Sequence, residues 1–112
     1  RSRGKNFDWL IIKFGKSGLI KKLEIDTHHF KGNYPDTCSI QSANIAKNVS
    51  NSFIVRNSKK WKYILNKSKL SANKKHVFKK FLLSRNKENL LRINIYPDGG
   101  ISRIRAFGNF VK

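Results

Sequence analysis

The sequence predicts an all-β fold, an antiparallel β-sandwich, on three observations. Seven or eight short segments rich in β-branched and aromatic residues follow one another along the 112-residue chain. Turn signals rich in Gly, Pro, Asn and Asp separate them. No long segment repeats its apolar residues with the period of a helix. Short strands with turns between them bury their apolar faces by stacking two sheets. Eight Phe, three Tyr and two Trp supply the bulk for one core, and the length fits one domain.

The elements follow in order. Asp8 to Phe14 is β-branched and aromatic and reads as a strand buried on both faces, ended by the turn signal Gly15-Lys16-Ser17-Gly18. Leu19 to Asp26 sets Leu19, Leu23 and Ile25 against Lys22, Glu24 and Asp26, the period-two alternation of a half-exposed strand. Thr27 to Pro35 is a loop, and Thr37 to Ala43 a third, weakly alternating strand. Ser52 to Arg56 and Trp61 to Leu65 read as short strands, Asn66 to Lys75 as a basic loop, and His76 to Leu83 fits a strand or a helical turn. Leu90 to Tyr96, the turn Pro97-Asp98-Gly99-Gly100, and Ile101 to Phe107 read as a closing hairpin.

In that hairpin, a four-residue loop places Ile93 opposite Ile104 and Leu91 opposite Ala106. The other face then sets Arg92 against Arg105, with Arg103 beside it. Opposed like charges destabilise a sheet by up to ~1 kcal/mol. An anion held between guanidinium forks would offset that. So would a turn of the arginines into water, or a meeting with Glu24 or Asp26 from another strand.

The charge is +19, from 25 Lys and Arg against 6 Asp and Glu. Nucleic-acid binding through Lys59, Lys60, Lys62, Lys67, Lys69, Lys74, Lys75, Lys79 and Lys80 is one reading. The excess of Lys over Arg, with abundant Asn and Ile, weighs against it and fits a solvated surface. The longest apolar run, Trp9 to Ile12, is four residues, far short of the ~18 that cross a bilayer as a helix. No secretory leader is evident, so the expected compartment is the cytoplasm. One cysteine, Cys38, gives no disulfide framework and reads as a small core residue. Trp9 and Trp61 also read as core. His28 and His29 are adjacent and point to opposite sides of an extended chain, so no metal site is assigned, although Asp26, His28 and His76 could form a mixed one.

Three stretches carry a resemblance. They are Asp8-Trp9-Leu10-Ile11-Ile12-Lys13, the run from Glu24 through His28-His29-Phe30-Lys31-Gly32-Asn33-Tyr34 to Pro35, and Arg92-Ile93-Asn94-Ile95-Tyr96-Pro97-Asp98-Gly99-Gly100-Ile101-Ser102-Arg103-Ile104-Arg105. Together they resemble the allantoicase family, from about Asp8 to Gly108. The resemblance implies a jelly-roll, galactose-binding-like sandwich and hydrolysis of allantoate to ureidoglycolate and urea in purine degradation. It also implies two repeats per enzyme chain and oligomers, so residues 1–112 correspond to a single repeat. The chain lacks a methionine, as expected of a processed chain, a fragment or a decayed copy. A non-enzymatic sandwich binding module is the competing reading.

For that substrate the candidate residues are these. Arg92, Arg103 and Arg105 are carboxylate clamps. Asn33, Tyr34 and Asn94 read the ureido groups. Asp26, His76 and Asp98 are proton carriers. Asp98 equally suits capping its own turn, and Asn33-Tyr34-Pro35 a rigid loop. No cofactor is identified from the sequence.

Overall fold

The computed structural model describes residues 7–30, 32, 34–79, 86–97 and 99–110. Six strands and one short helix make up the fold: β1 (Asp8–Asp26), β2 (Thr37–Ala43), α1 (Asn51–Asn57), β3 (Lys62–Lys69), β4 (Lys75–Phe78), β5 (Glu88–Tyr96) and β6 (Arg103–Phe110). A single 3-10 turn, Ser58–Lys60, follows α1. Every strand pairing is antiparallel. Among the described residues no helix is long and apolar enough to cross a membrane.

The architecture is a β-sandwich curled from one continuous sheet, with β1 serving both layers. Its first half, Asp8 to Lys13, pairs with β5, which pairs with β2, which pairs with the edge strand β3. Its second half, Gly18 to Asp26, lies between β4 and β6. The Gly15-Lys16-Ser17-Gly18 stretch therefore bends a strand rather than ending one. The register shifts between Lys13 and Gly18, as at a β-bulge, where a strand twists sharply without breaking. Gly15 faces open space, so nothing there opposes the bend.

Between the layers lie Ile20, Leu23, Ile25, Cys38, Ile40, Ile64, Leu65, Leu70, Leu91 and Ile93, with Ile12, Phe14, Ile95, Ile101 and Ile104 packed against them. Each fully buried Leu or Ile contributes roughly 1.5–3 kcal/mol. The inward side of β5 is Leu91, Ile93 and Ile95, so Arg92, Asn94 and Tyr96 face outward, as strand alternation requires.

Five expectations are corrected. The segment at Ser52–Arg56 is the helix α1. Ser50 caps it, its Oγ accepting from the Phe53 N–H at 3.2 Å, and this local bond outweighs the strand preference of Phe53-Ile54-Val55. Secondly, β5 and β6 do not form a hairpin. Ile93 opposes Leu10 on one side and Ile40 on the other, and Ile104 opposes Ile25. Pairing each half with β1 buries both apolar faces between layers, which a two-stranded ribbon cannot do. The chain instead passes from one layer to the other between β5 and β6. Thirdly, His28 and His29 do not splay: His29 has φ 76°, and the two rings sit 3.9 Å apart. Asn66 to Lys69 also extends β3 instead of opening a loop, and Trp9 lies on the outer face of the sheet, half-buried, not in the core.

Candidate active site

Two groups of polar side chains stand on opposite outer faces of the sandwich. The first lies on the β5–β2 layer. Register places Asn94 between Trp9 and Ser39, and Arg92 between Ile11 and Gln41. Arg92 is 2% exposed. Its Nε donates to Asn94 Oδ1 at 2.8 Å and an Nη donates to Ser58 Oγ at 2.7 Å. Its guanidinium carbon lies 4.8 Å from the centre of the Trp9 ring. Asn94 in turn donates to Gln41 Oε1 at 3.0 Å and to Ser39 Oγ at 3.3 Å. Gln41 Nε2 donates to the carbonyls of Lys59 and Trp61, which straps the 3-10 turn onto the sheet. Ser39 Oγ and Tyr96 Oη are 3.0 Å apart. Burial holds the Arg92 guanidinium below its ordinary pKa, because desolvation disfavours charge. Among the described residues no carboxylate pairs with it.

The second group lies on the outer face of the β6–β1–β4 layer. Asp26 opposes Arg103 and Lys75, and Glu24 opposes Arg105 and Val77. Glu24, Asp26, Lys75, Arg103 and Arg105 line one small cleft of about 80 Å³. Glu24 is buried and lies 3.7 Å from Lys22 Nζ. Cross-strand pairs of opposite charge are the favourable arrangement. Asp26 also closes the turn after β1, its Oδ1 accepting from the His28 N–H at 2.8 Å.

The structure thus brings Arg103, Arg105 and Asp26 together and leaves Arg92 and Asn94 on the far side. The side-by-side set of three arginines expected from a hairpin does not form, because β5 and β6 belong to different layers. Asn33 and Asp98 lie outside the described residues. Tyr34 is half-buried at the end of the sandwich. His76 is buried with both ring nitrogens engaged: Nε2 accepts from the Ser71 N–H at 2.8 Å, and Nδ1 lies 2.9 Å from the Ile25 carbonyl. With Nε2 accepting, the proton belongs on Nδ1 and is donated to that carbonyl. The ring thereby ties the turn before β4 to β1. Cys38 is fully buried, and burial pushes its thiol up to about 12, which leaves it no thiolate to attack with. Among the described residues no three His, Cys, Asp or Glu side chains are grouped to hold a metal ion.

The loops that follow β1 and β5 meet at one end. Gly99, at φ 138°, lies so close to Tyr34 and Pro35 that a Cβ there would stand 2.5 Å from the Tyr34 carbonyl carbon. The Ser102 N–H donates to the Asp26 carbonyl at 2.8 Å. The chain ends leaving β1 and entering β6, far apart in sequence, are therefore neighbours at that end of the sandwich. Sequence reasoning missed Trp9, Ser39, Gln41 and Ser58 as partners of Arg92. The signal was present: Ser39 and Gln41 alternate with Cys38 and Ile40, as Arg92 and Asn94 alternate with Leu91 and Ile93.

Comparison with known proteins decides the family. The family model for the allantoicase repeat matches residues 1–111. The chain belongs to the allantoicase family. A protein described as probable allantoicase 1 from Burkholderia mallei is 42% identical over 112 residues, which is 100% of this chain and 33% of that protein. The crystal structure of allantoicase from Saccharomyces cerevisiae superposes with a TM-score of 0.72 at 30% identity, over 96% of this chain and 29% of that one. A chitosan-binding module from a Paenibacillus chitosanase/glucanase superposes with a TM-score of 0.64 at 14% identity, over 94% of this chain and 71% of its own. That last likeness concerns the sandwich alone. This allantoicase repeat spans about a third of the length of the curated relative it matches.

Proposed function

We propose that the chain is one repeat of an enzyme that hydrolyses allantoate to ureidoglycolate and urea. The observation that carries this reading is the family match over residues 1–111. The contacts of Gly99 with Tyr34 and Pro35 and of Ser102 with Asp26 at one end of the sandwich support it. The substrate is a carboxylate bearing two ureido groups on one carbon. Its cleavage breaks one carbon–nitrogen bond; water supplies hydroxyl to the carbon and a proton to the departing urea nitrogen.

The candidate cleft at Arg103 and Arg105 suits the carboxylate, since guanidinium forks match its two oxygens. Asp26 stands opposite Arg103 and is assigned to accept the proton of the attacking water. Asn33, Tyr34 and Asp98 belong by sequence to the two loops beside it and are assigned to the ureido groups and the leaving nitrogen. His76, held at both nitrogens, acts in this reading by fixing the turn before β4. Arg92 and Asn94 act by holding Ser39, Gln41 and Ser58 in place. A second allantoicase repeat is the proposed partner, since this one covers a third of its relatives' length.

The test is urea release from allantoate, measured for this chain alone and joined to the remainder of an allantoicase. The joined protein is expected to release urea, and Arg103→Ala with Arg105→Ala to lower kcat/KM at least 100-fold. No urea above background from the joined protein sinks the reading.

A further inference from the structure

We propose that the open side of the sandwich, between the first half of β1 and the start of β6, is the seam where a second allantoicase repeat docks. The inference rests on the allantoicase reading and names the face through which it is assembled.

The strand register locates the seam. Gly18 pairs with Glu88 of β5 and with Phe110 of β6 at once. Leu23 pairs with Phe78 of β4 and Ala106 of β6 at once. So β6 runs along one edge of β1, and β5 followed by β4 runs along the other. On the β6 edge, the pairing among the described residues covers Gly18 to Asp26. Among the described residues, Trp9 to Lys13 has a strand partner on the β5 edge only. An unpaired edge is a template for another strand.

Beneath that edge the layers gape. A cleft of about 380 Å³ opens there, lined chiefly by Leu10, Ile93, Ile95, Ile101 and Ile104. Leu10 is 54% exposed although it is on the inward face. Ile93 of the core, with Ile95, Ile101 and Ile104 packed against that core, lines the cleft directly beneath the open edge. Charge excludes a poor fit: the edge residues Trp9 to Ile12 are uncharged, whereas the opposite edge, β3, carries Lys62, Lys67 and Lys69. An extended strand pairing with Trp9 to Lys13 would satisfy the edge and set alternate apolar side chains into the cleft, the geometry of strand addition. The occupant is a second allantoicase repeat because the chain matches a repeat and covers 33% of its relative, which leaves ample chain to supply it.

The experiment mixes this chain with the part of the Burkholderia mallei relative that it does not match, and follows binding by calorimetry and amide hydrogen exchange. The expected result is binding, with exchange slowed at Trp9 to Lys13 and Ile101 to Ile104. Leu10→Lys, at a position already half in water, is expected to weaken binding at least tenfold while leaving Tm nearly unchanged. Ile101→Lys is the second variant, and Val77→Lys, on the β4 edge, the control that binds as the parent does. Absence of binding, slowed exchange elsewhere, or equal binding by Leu10→Lys overturns the proposal. So does a stable dimer of this chain closed through the same edge, since the occupant is then a second copy. None of these readouts depends on urea release, so the seam and the activity fail separately.

Discussion

Arg92 is a cation sealed under a 3-10 turn, and two substitutions weigh its charge against its hydrogen bonds. Arg92→Lys keeps the charge in place. The ammonium lacks the planar fork that reaches Asn94 and Ser58 together, so at least one charge-assisted bond of roughly 1.5–3 kcal/mol is lost. Contact with the Trp9 face weakens too, by up to about 1 kcal/mol. The cost is about 3 kcal/mol. Arg92→Met loses both bonds and the Trp9 contact, but it also removes a buried charge whose desolvation costs several kcal/mol. Its net cost is about 1–2 kcal/mol. Urea denaturation is therefore expected to rank the parent above Arg92→Met and Arg92→Met above Arg92→Lys. The gap between the variants in Tm is roughly 4–8 °C. If Arg92→Lys equals or exceeds Arg92→Met in stability, the reasoning is refuted. The charge itself would then be wanted, and an anion would sit against it.

Three further outcomes are expected. Gly99→Ala forces a Cβ into the Tyr34–Pro35 backbone at positive φ, which costs about 2–4 kcal/mol and lowers urea release by the joined protein; unchanged Cm and rate would contradict the contact. Burial lifts the Glu88 carboxyl above its usual range, against the opposing hydrogen bond from Ser42 and charge of Lys62. The unfolded chain then ionises first, so stability falls as pH rises from about 4.3 until the folded carboxyl also ionises. Glu88→Gln is expected to flatten that part of the Cm–pH curve, and an identical curve would remove the assignment. Cys38 is expected to resist iodoacetamide in the folded chain and react fully in urea, as read by mass spectrometry; rapid labelling of the folded chain would place the thiol outside the core.

The strand pattern was legible wherever alternation is local. Thr37 to Ala43 appears with the bounds that the sequence alone suggests, and Leu90 to Tyr96 lies inside β5. What the sequence did not show is which strand meets which. Ile93 fits equally well against Ile104, Leu10 or Ile40 as apolar partners, and only the closure of two layers selects among them. Gly15 to Gly18 carries the residues of a turn, and whether they end a strand or bend it depends on partners that lie some seventy positions away, at Glu88 and beyond. The Ser50 cap competes with the β-branched run after it, and such local contests are poorly resolved by composition. At the site, alternation correctly separated Arg92, Arg103 and Arg105 from the core. It could not say that the layers divide them, and the meeting with Glu24 and Asp26 stood as one of several open alternatives.

The dual service of β1 has a consequence for how the repeat folds. The first strand described in this repeat finds its neighbours in β4, β5 and β6, the three described strands farthest from it in sequence. Loops of this length are slow to close, and their entropy is lost before any contact offsets it. Neither layer can be completed early, because each borrows half of the same strand. The repeat must stay open until β4, β5 and β6 are available, and then both layers form in one cooperative step.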